Sequence, residues 1–431
     1  MSINIKGCHV MAKPGGSVCN IDCGYCFYLE KEALYPERWD NWRMSPETLE
    51  LFIAQHIAAQ EGEQVLFAWQ GGEPTLMGLP FFRQVVALCK KYGEGRPIQH
   101  ALQTNGVVLN PEWAAFFAEH QFLIGLSIDG PQPFHDTYRV TRSGAGTHHK
   151  VMAALDLLKA HQVAFNTLTV VGKHNAAHAK EVYEFLLAIG SRHIQFIPLV
   201  ERIATADSAE LQLVLPGESA ATLAPWSLPS WQYGEFLNQI FDIWVRRDVG
   251  RISVQMFDVA LSAWCLQPPV LCVHSETCGH AFALEANGDL YNCDHFVYPQ
   301  YLLGNIHQQD IKTLNNSLPA YQFGQAKSRT LTPDCRRCEF RFVCHGGCPK
   351  HRFAVSPSGH PGHNYLCAGY QHFFQHIRRE MNLMRDLLSS GYEEQTIMSV
   401  LAQESRVRSG QNRNALCPCG SGKKHKKCCG K

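Results

Sequence analysis

The stretch CNIDCGYCFYLE, Cys19 to Glu30, holds three cysteines, Cys19, Cys23 and Cys26, spaced C-x3-C-x2-C. A tetrahedral metal site or a cubane iron–sulfur cluster normally takes four protein ligands. Two readings are open from the residues alone. One is a zinc site completed by a distant histidine. The other is a [4Fe–4S] cluster in which one iron keeps no protein ligand and is free to chelate a small molecule. No second half of a zinc knuckle lies nearby, and the aromatic tail CFYLE is foreign to one.

The chain that follows has a rhythm. QVLFAWQGGEP ends in Gly71, Gly72, Glu73 and Pro74, IQHALQTNG in Thr104, Asn105 and Gly106, and FLIGLSIDGP in Asp129, Gly130 and Pro131. VAFNTLTVVGKHN and HIQFIPLVE continue the series. Each run is rich in β-branched and aromatic residues and stops at a turn signal. Helix-like stretches alternate with them, at Leu79 to Tyr92, Pro111 to His120, Lys150 to His161 and Ala177 to Ile189. Asn110-Pro111 reads as a cap and the first helical residue. Strand alternating with helix means βαβ units and a parallel sheet. Polar residues gather where strands end, the edge at which barrel enzymes place their chemistry.

Bulk properties exclude several classes. At 431 residues the chain is long enough for two or three domains. A formal net charge of +1 gives no global field toward nucleic acid or an anionic membrane. The longest apolar runs are too short to span a bilayer, and the N-terminus lacks the pattern of a signal peptide, so a cytoplasmic location is expected. Eighteen cysteines in a chain without an export signal point to metal ligands rather than disulfides. Cys8, Cys89 and Cys265 fall outside the clustered blocks and read as ordinary buried thiols.

A second block runs Cys272-x5-Cys278, then Cys293 in GDLYNCDHF, then Cys335, Cys338, Cys344 and Cys348 in CRRCEFRFVCHGGC, and Cys367 in NYLCAGY. Eight thiolates saturate two four-iron clusters. Two zinc ribbons would want paired C-x2-C units, and this block has a single such pair. A third block, RNALCPCGSGKKHKKCCGK, holds Cys417, Cys419, Cys428 and Cys429 among basic residues from Arg413 onward.

The triplet with the GGEP turn resembles the radical S-adenosylmethionine enzymes, and the second block resembles their SPASM auxiliary-cluster domain. HVMAKPGGSVCN, FAWQGGEPTL, LQTNGVVL, GLSIDGP, IQFIPLVER, CDHFVYPQYLLGN and GGCPKHRF together resemble the anaerobic sulfatase-maturating enzymes, along residues 7 to 390. These oxidise a Cys or Ser of a sulfatase to Cα-formylglycine. The resemblance implies an α/β fold, a partial (β/α)6 TIM-type barrel over residues 1–240 with a SPASM domain over 241–390. It implies three [4Fe–4S] clusters and S-adenosylmethionine as cofactors. Cys19, Cys23 and Cys26 would hold the first cluster. Cys272, Cys278, Cys293 and Cys348 would hold the second, and Cys335, Cys338, Cys344 and Cys367 the third. It further implies that Tyr25 packs on the adenine and that Gly72 lies in the turn contacting the amino group. Ser127 and Arg139 correspond to ribose and carboxylate contacts, and Val200 to an apolar adenine contact. The family's proposed general base falls on Asp294; without the resemblance, the same residue reads as a turn carboxylate capping an N–H. The implied partners are an unfolded or nascent sulfatase polypeptide and an electron donor such as flavodoxin or ferredoxin.

Residues 413–431 resemble the SEC-C zinc motif, with Cys417, Cys419, Cys428 and Cys429 saturating one zinc as a closed structural site. Its lysines suggest docking to a protein or ribosomal surface. Residues 391–412 read as a short helix-like stretch and then a linker. Two alternatives remain at this stage. A thioether-forming peptide maturase would share both cluster blocks but would normally carry a leader-binding domain upstream, where only eighteen residues precede Cys19. An iron–sulfur electron carrier would explain the cysteines but not GGEP or the βα repeat.

Overall fold

The computed structural model describes residues 7–35, 42–204, 214, 218, 221–414, 416–417 and 421–428. Ten strands form one sheet: β1 His9–Lys13, β2 Val65–Trp69, β3 Ile98–Thr104, β4 Leu123–Ser127, β5 Phe165–Val171, β6 His193–Pro198, β7 Ser253–Val254, β8 Ala281–Glu285, β9 Asp289–Tyr291 and β10 Leu302–Asn305. Their order is β7-β6-β5-β4-β3-β2-β1-β8-β9-β10. Every pairing from β7 to β8 is parallel, and the β8–β9 and β9–β10 pairings are antiparallel.

The alternation expected from sequence is the alternation seen. Helices Pro46–Ala59, Leu79–Tyr92, Pro111–Glu119, His148–Ala160, Ala179–Ala188 and Ser230–Arg247 follow β1 to β6 in turn. Parallel neighbours need such crossovers, and the helices cover the sheet. Local chemistry sets their starts. Ser45 accepts from the Thr48 N–H at 3.0 Å ahead of Pro46, and Asn110 accepts from the Trp113 N–H at 3.0 Å ahead of Pro111.

Two features join the strand–helix core to the cysteine-rich region. β1 pairs with β8 along its whole length, from His9 opposite Ala281 to Lys13 opposite Glu285. The chain around Cys293 therefore grows from the same sheet as the chain around Cys19. On the other flank, helix Cys367–Ser389 crosses helix Ser230–Arg247 at a pair of glycines. A Cβ on Gly234 would meet the Gly369 carbonyl oxygen at 2.3 Å, and one on Gly369 would meet that of Ser230 at 2.0 Å. Only glycine permits that approach, and it fixes the helix that begins at Cys367.

Helix Ser230–Arg247 runs unbroken through residue 240. The short helix-like stretch expected within 391–412 is present and continues through the expected linker as helix Thr396–Asn414. Ile397 and Leu401, one turn apart, are buried in the core shared with helix Cys367–Ser389. Arg379 reaches Glu404 across the same contact. Packing of that short apolar face overrides a polar sequence that reads as a spacer.

Candidate functional site

The first cysteine loop leaves β1 at Lys13 and is laced to the GGE turn at the end of β2. The Gly72 N–H donates to the Gly16 carbonyl at 2.8 Å and the Glu73 N–H to that of Val18 at 2.9 Å. A Cβ on Gly72 would lie 2.1 Å from the Val18 oxygen and 2.4 Å from that of Ser17, so no other residue fits there. Glu73 is buried, and its carboxylate accepts from Thr75 N at 3.0 Å, Thr75 Oγ1 at 2.5 Å, Thr104 Oγ1 at 2.8 Å and Asn105 N at 2.7 Å. It ties the ends of β2 and β3 together. Asn105 then reaches the loop, donating to Asn20 Oδ1 at 2.8 Å and to Cys19 Sγ at 3.7 Å. Burial pushes the Cys19 thiol up to about 11 and the Cys23 thiol higher still. Without an added cation these thiols stay protonated; iron would supply it.

Tyr25, Ser127, Arg139 and Val200 are all buried. They sit at the C-terminal ends of the strands, with an organiser that the sequence reading passed over as a turn residue. Asp129, fully buried after β4, accepts from Tyr25 Oη at 2.6 Å, Arg139 Nε at 2.8 Å and the Val170 N–H at 2.9 Å. Burial would raise its carboxyl, but Arg139 outweighs it and holds the group below the usual carboxylate range. Tyr25 and Arg139 are thereby oriented by one carboxylate. Three side chains nearby in the fold carry buried polar atoms with no hydrogen-bond partner among the described residues: Ser17 Oγ, Asn20 Nδ2 and both ring nitrogens of His174. His174 packs edge-on against Tyr138, which packs edge-on against Tyr25. Orphaned polar atoms beside an oriented arginine fit a polar, charged ligand such as S-adenosylmethionine.

The eight cysteines of the second block separate into two neighbourhoods. The charged neighbours of Cys278 include Cys348 and Cys272, and so do those of Cys293. Those of Cys367 include Cys344, Cys335 and Cys338. Cys335, Cys338, Cys344 and Cys367 line one cavity of about 220 Å³. Nitrogen atoms approach sulfur in both sets: His295 Nδ1 lies 3.6 Å from Cys348 Sγ, His363 Nδ1 lies 3.5 Å from Cys335 Sγ, and Gln371 Nε2 donates to Cys338 Sγ at 3.8 Å. A cavity walled by four thiols fits a cubane cluster.

Asp294 begins a short turn directly after Cys293, with its side chain 18% exposed. Among the described residues its carboxylate accepts no cap bond from the turn. Its carboxylate forms an ion pair with Lys13, the last residue of β1, which is 1% exposed. Lys13 Nζ also lies 3.8 Å over the Tyr28 ring and 3.4 Å from Gln70 Oε1. Burial alone would raise the Asp294 carboxyl; Lys13, His295 and Lys350 more than offset it, so the group is held below its ordinary value. Beyond them, Lys350 pairs with Glu201, and burial together with Lys350 pulls the Lys31 ammonium down to about 7. Lys13 was not singled out from sequence. Its only signal is a lysine closing an otherwise buried strand. Gln70 continues from Lys13 to Gln103, and both line a cavity of about 380 Å³ inside the sheet, with Asn166 and Gln195.

In the third block Cys417 is buried and Cys428 lies 3.1 Å from Ser421 Oγ. The Cys417 N–H donates to the Lys423 carbonyl at 2.7 Å, closing the knuckle. Cys419 and Cys429 lie outside the described residues. Of the three cysteines read as buried thiols, Cys89 is buried, whereas Cys8 and Cys265 are partly exposed. No helix among the described residues is long and apolar enough to cross a membrane.

Residues 14–186 match the radical SAM superfamily, 272–339 the SPASM iron–sulfur cluster-binding domain, and 413–431 the SEC-C motif. The chain is 44% identical over 401 residues to a serine-type anaerobic sulfatase-maturating enzyme of Bacteroides thetaiotaomicron, covering 93% of this chain and 96% of the relative. It is 33% identical over 375 residues to a cysteine-type enzyme of Clostridium novyi, covering 86% and 95%. The solved structure of native anSMEcpe with bound AdoMet and Cp18Cys peptide superposes with a TM-score of 0.76 at 30% identity, covering 88% of this chain and 99% of that one. With its radical SAM core and iron–sulfur SPASM domain, the chain belongs to the anaerobic sulfatase-maturating enzymes, which form formylglycine in sulfatases.

Proposed function

We propose that Asp294 is the general base of this oxidation and that Lys13 holds it ionised and in place. The observation that carries the reading is the ion pair itself, formed between the strand that leads into Cys19 and the turn that follows Cys293. A carboxylate there stands between the two cysteine regions. When bound, the cofactors supply the 5′-deoxyadenosyl radical that takes hydrogen from the target Cβ and the acceptor for the second electron. Asp294 removes the proton of the target thiol or hydroxyl as that electron leaves. Arg139, steadied by Asp129, binds the carboxylate of S-adenosylmethionine. Gly72 presents backbone to its amino group, and Tyr25, Ser127 and Val200 meet its adenosine.

The same reading assigns three [4Fe–4S] clusters. Cys19, Cys23 and Cys26 hold the first, Cys272, Cys278, Cys293 and Cys348 the second, and Cys335, Cys338, Cys344 and Cys367 the third. The amide-lined cavity beside Gln70 and Gln103 suits the backbone of an unfolded sulfatase segment carrying the Cys or Ser target. The protein works in the cytoplasm with a flavodoxin or ferredoxin as donor. Cys417, Cys419, Cys428 and Cys429 hold a structural zinc, and the lysines around it dock to a protein or ribosomal surface. The test is Asp294→Asn, which keeps size and one acceptor. It should still release 5′-deoxyadenosine, with deuterium from the substrate Cβ in it, while formylglycine falls by about 10²–10⁴-fold. Product at the wild-type rate would place the base elsewhere.

A further inference from the structure

Helix Leu318–Arg329 carries a cation into the cysteine-rich region. Lys327 is 1% exposed. Its Nζ donates to the carbonyl oxygens of Cys272 at 2.7 Å, Val273 at 2.9 Å and Ser275. Three acceptors need three N–H bonds, and the ammonium form supplies that number. The charge is therefore fixed against the loop that bears Cys272. Among the described residues no carboxylate pairs with it; the thiols of Cys278, Cys348 and Cys272 lie around it, and burial pulls its ammonium below the ordinary lysine value. A buried cation without an anion is strongly unfavourable. The negative charge that balances this one has to come from the thiolates of one set and whatever they hold. Arg352 backs the arrangement, donating from Nη1 to the Lys327 carbonyl at 2.6 Å, and its thiol neighbours come from both sets. Lys327 is hydrogen-bonded to the loop of one set while Cys344 of the other set also feels its charge, and Arg352 is shared.

We propose that Lys327 is a redox-positioning residue: its ammonium makes the cluster held by Cys272, Cys278, Cys293 and Cys348 the more readily reduced auxiliary cluster, so that the second electron of the oxidation enters beside Asp294. The inference rests on the assignment of those four cysteines to one cluster. In the known reaction the target Cβ loses a hydrogen atom to the deoxyadenosyl radical, its heteroatom loses a proton, and one electron passes to an acceptor. Reduction adds one negative charge to that acceptor. A fixed cation a few ångströms away in a dry interior stabilises the reduced state more than the oxidised one, and fixed charge is a recognised determinant of cluster potential. Proton and electron then depart from one corner of the site, the carboxylate and the favoured acceptor being attached to adjacent residues, Asp294 and Cys293.

The full-length enzyme, reconstituted anaerobically, decides the matter. Lys327→Gln keeps two N–H donors for the carbonyls and removes the charge; Lys327→Arg keeps the charge. Iron and sulfide are counted first, and the clusters are then titrated potentiometrically with detection by electron paramagnetic resonance. Wild type and both variants should carry about twelve irons. In Lys327→Gln one auxiliary midpoint should fall by about 59 mV, a tenfold change in the one-electron equilibrium. Lys327→Arg should stay near wild type, and formylglycine per 5′-deoxyadenosine should fall in the Gln variant alone. An unmoved midpoint in a fully loaded Gln variant overturns the proposal while leaving the cluster assignment intact. Loss of about four irons in both variants also overturns it, and makes Lys327 a scaffold for the loop. A wild-type enzyme with only about four irons removes the assignment and the inference together.

Discussion

Replacing Lys13 by Met keeps the length and apolar body of a side chain that is 1% exposed, and takes away its ammonium. Three contacts go: the ion pair with Asp294, the approach to the Tyr28 ring at 3.8 Å, and the contact with Gln70 at 3.4 Å. At an effective dielectric of about 20, unit charges 4 Å apart attract by about 4 kcal/mol, part of which is offset by the desolvation of both ions. Removing one partner leaves a carboxylate whose burial favours protonation, with Lys350 as a remaining positive neighbour; burial pulls the His295 imidazole down to about 4, so that ring is neutral at pH 7. A protonated Asp294 cannot accept the target's proton. Formylglycine should then fall by about 10²-fold, the low end for a lost base, because ionised Asp294 persists as a minority. Hydrogen abstraction does not use Lys13, so 5′-deoxyadenosine should form within about threefold of wild type. The assay is the ratio of the two products on a short sulfatase peptide, measured by mass spectrometry after equal cluster loading. Lys13→Arg, which restores a cation, should recover part of the ratio. A Met variant with an unchanged ratio would refute the reasoning. A parallel fall in both products would show that Lys13 merely holds the loop.

Gly72→Ala should cut release of 5′-deoxyadenosine by about 10²-fold, since a Cβ 2.1 Å from the Val18 oxygen forces the cysteine loop and the GGE turn apart by about 1 Å; iron content and turnover without peptide check it. Asp248 is fully buried and takes hydrogen bonds from Tyr183, Arg247 and Arg251 at the end of helix Ser230–Arg247. Burial would raise its carboxyl, but the Arg247 and Tyr183 hydrogen bonds hold it low. Its contribution is thus present above the ordinary carboxylate value and is lost as pH falls through the lowered one. Asp248→Asn should cost about 2–3 kcal/mol at pH 7 by anaerobic urea unfolding, with the difference from wild type vanishing in acid. Truncation after Ser409 should remove one zinc by metal analysis and leave peptide oxidation unchanged; lost turnover would tie the tail to the active site.

Local chemistry is what the sequence displayed. The cap at Asn110, the strand ends at Glu73, Thr104 and Asp129, and four of the six strand–helix pairs follow from propensity and turn signals over a few residues. The cysteine blocks were legible because many thiols clustered at short spacing have few uses besides holding metal. What stayed hidden are pairings between residues far apart in the chain. Asp129 looked like a turn residue because Tyr25 and Arg139, the groups it orients, approach it only once β2 to β5 are assembled. The ion pair of Asp294 stayed hidden for the same reason: its partner Lys13 is delivered by β1 through the pairing with β8. The full length of helix Thr396–Asn414 was not legible because Ile397 and Leu401 find their apolar surface on helices from elsewhere in the chain.

The β1–β8 pairing explains why these long-range contacts concentrate where they do. β1 runs into the first cysteine loop beside β8 in parallel register, and β9 returns along β8, setting Tyr291 opposite Ala283 just before Cys293 and Asp294. β1 and β8 therefore deliver their C-terminal ends to the same edge of the sheet. Lys13 ends one and Glu285, which accepts from Tyr28 Oη, ends the other. A slip of this register by one residue would turn Lys13 to the opposite face of the sheet, separating it from Asp294 and the cysteine loop from the hairpin. The distance between the first cysteine loop and Asp294 is therefore set by backbone hydrogen bonds within one sheet. That rigidity is what a reaction needs when a hydrogen atom, a proton and an electron must leave one carbon-centred group in three directions.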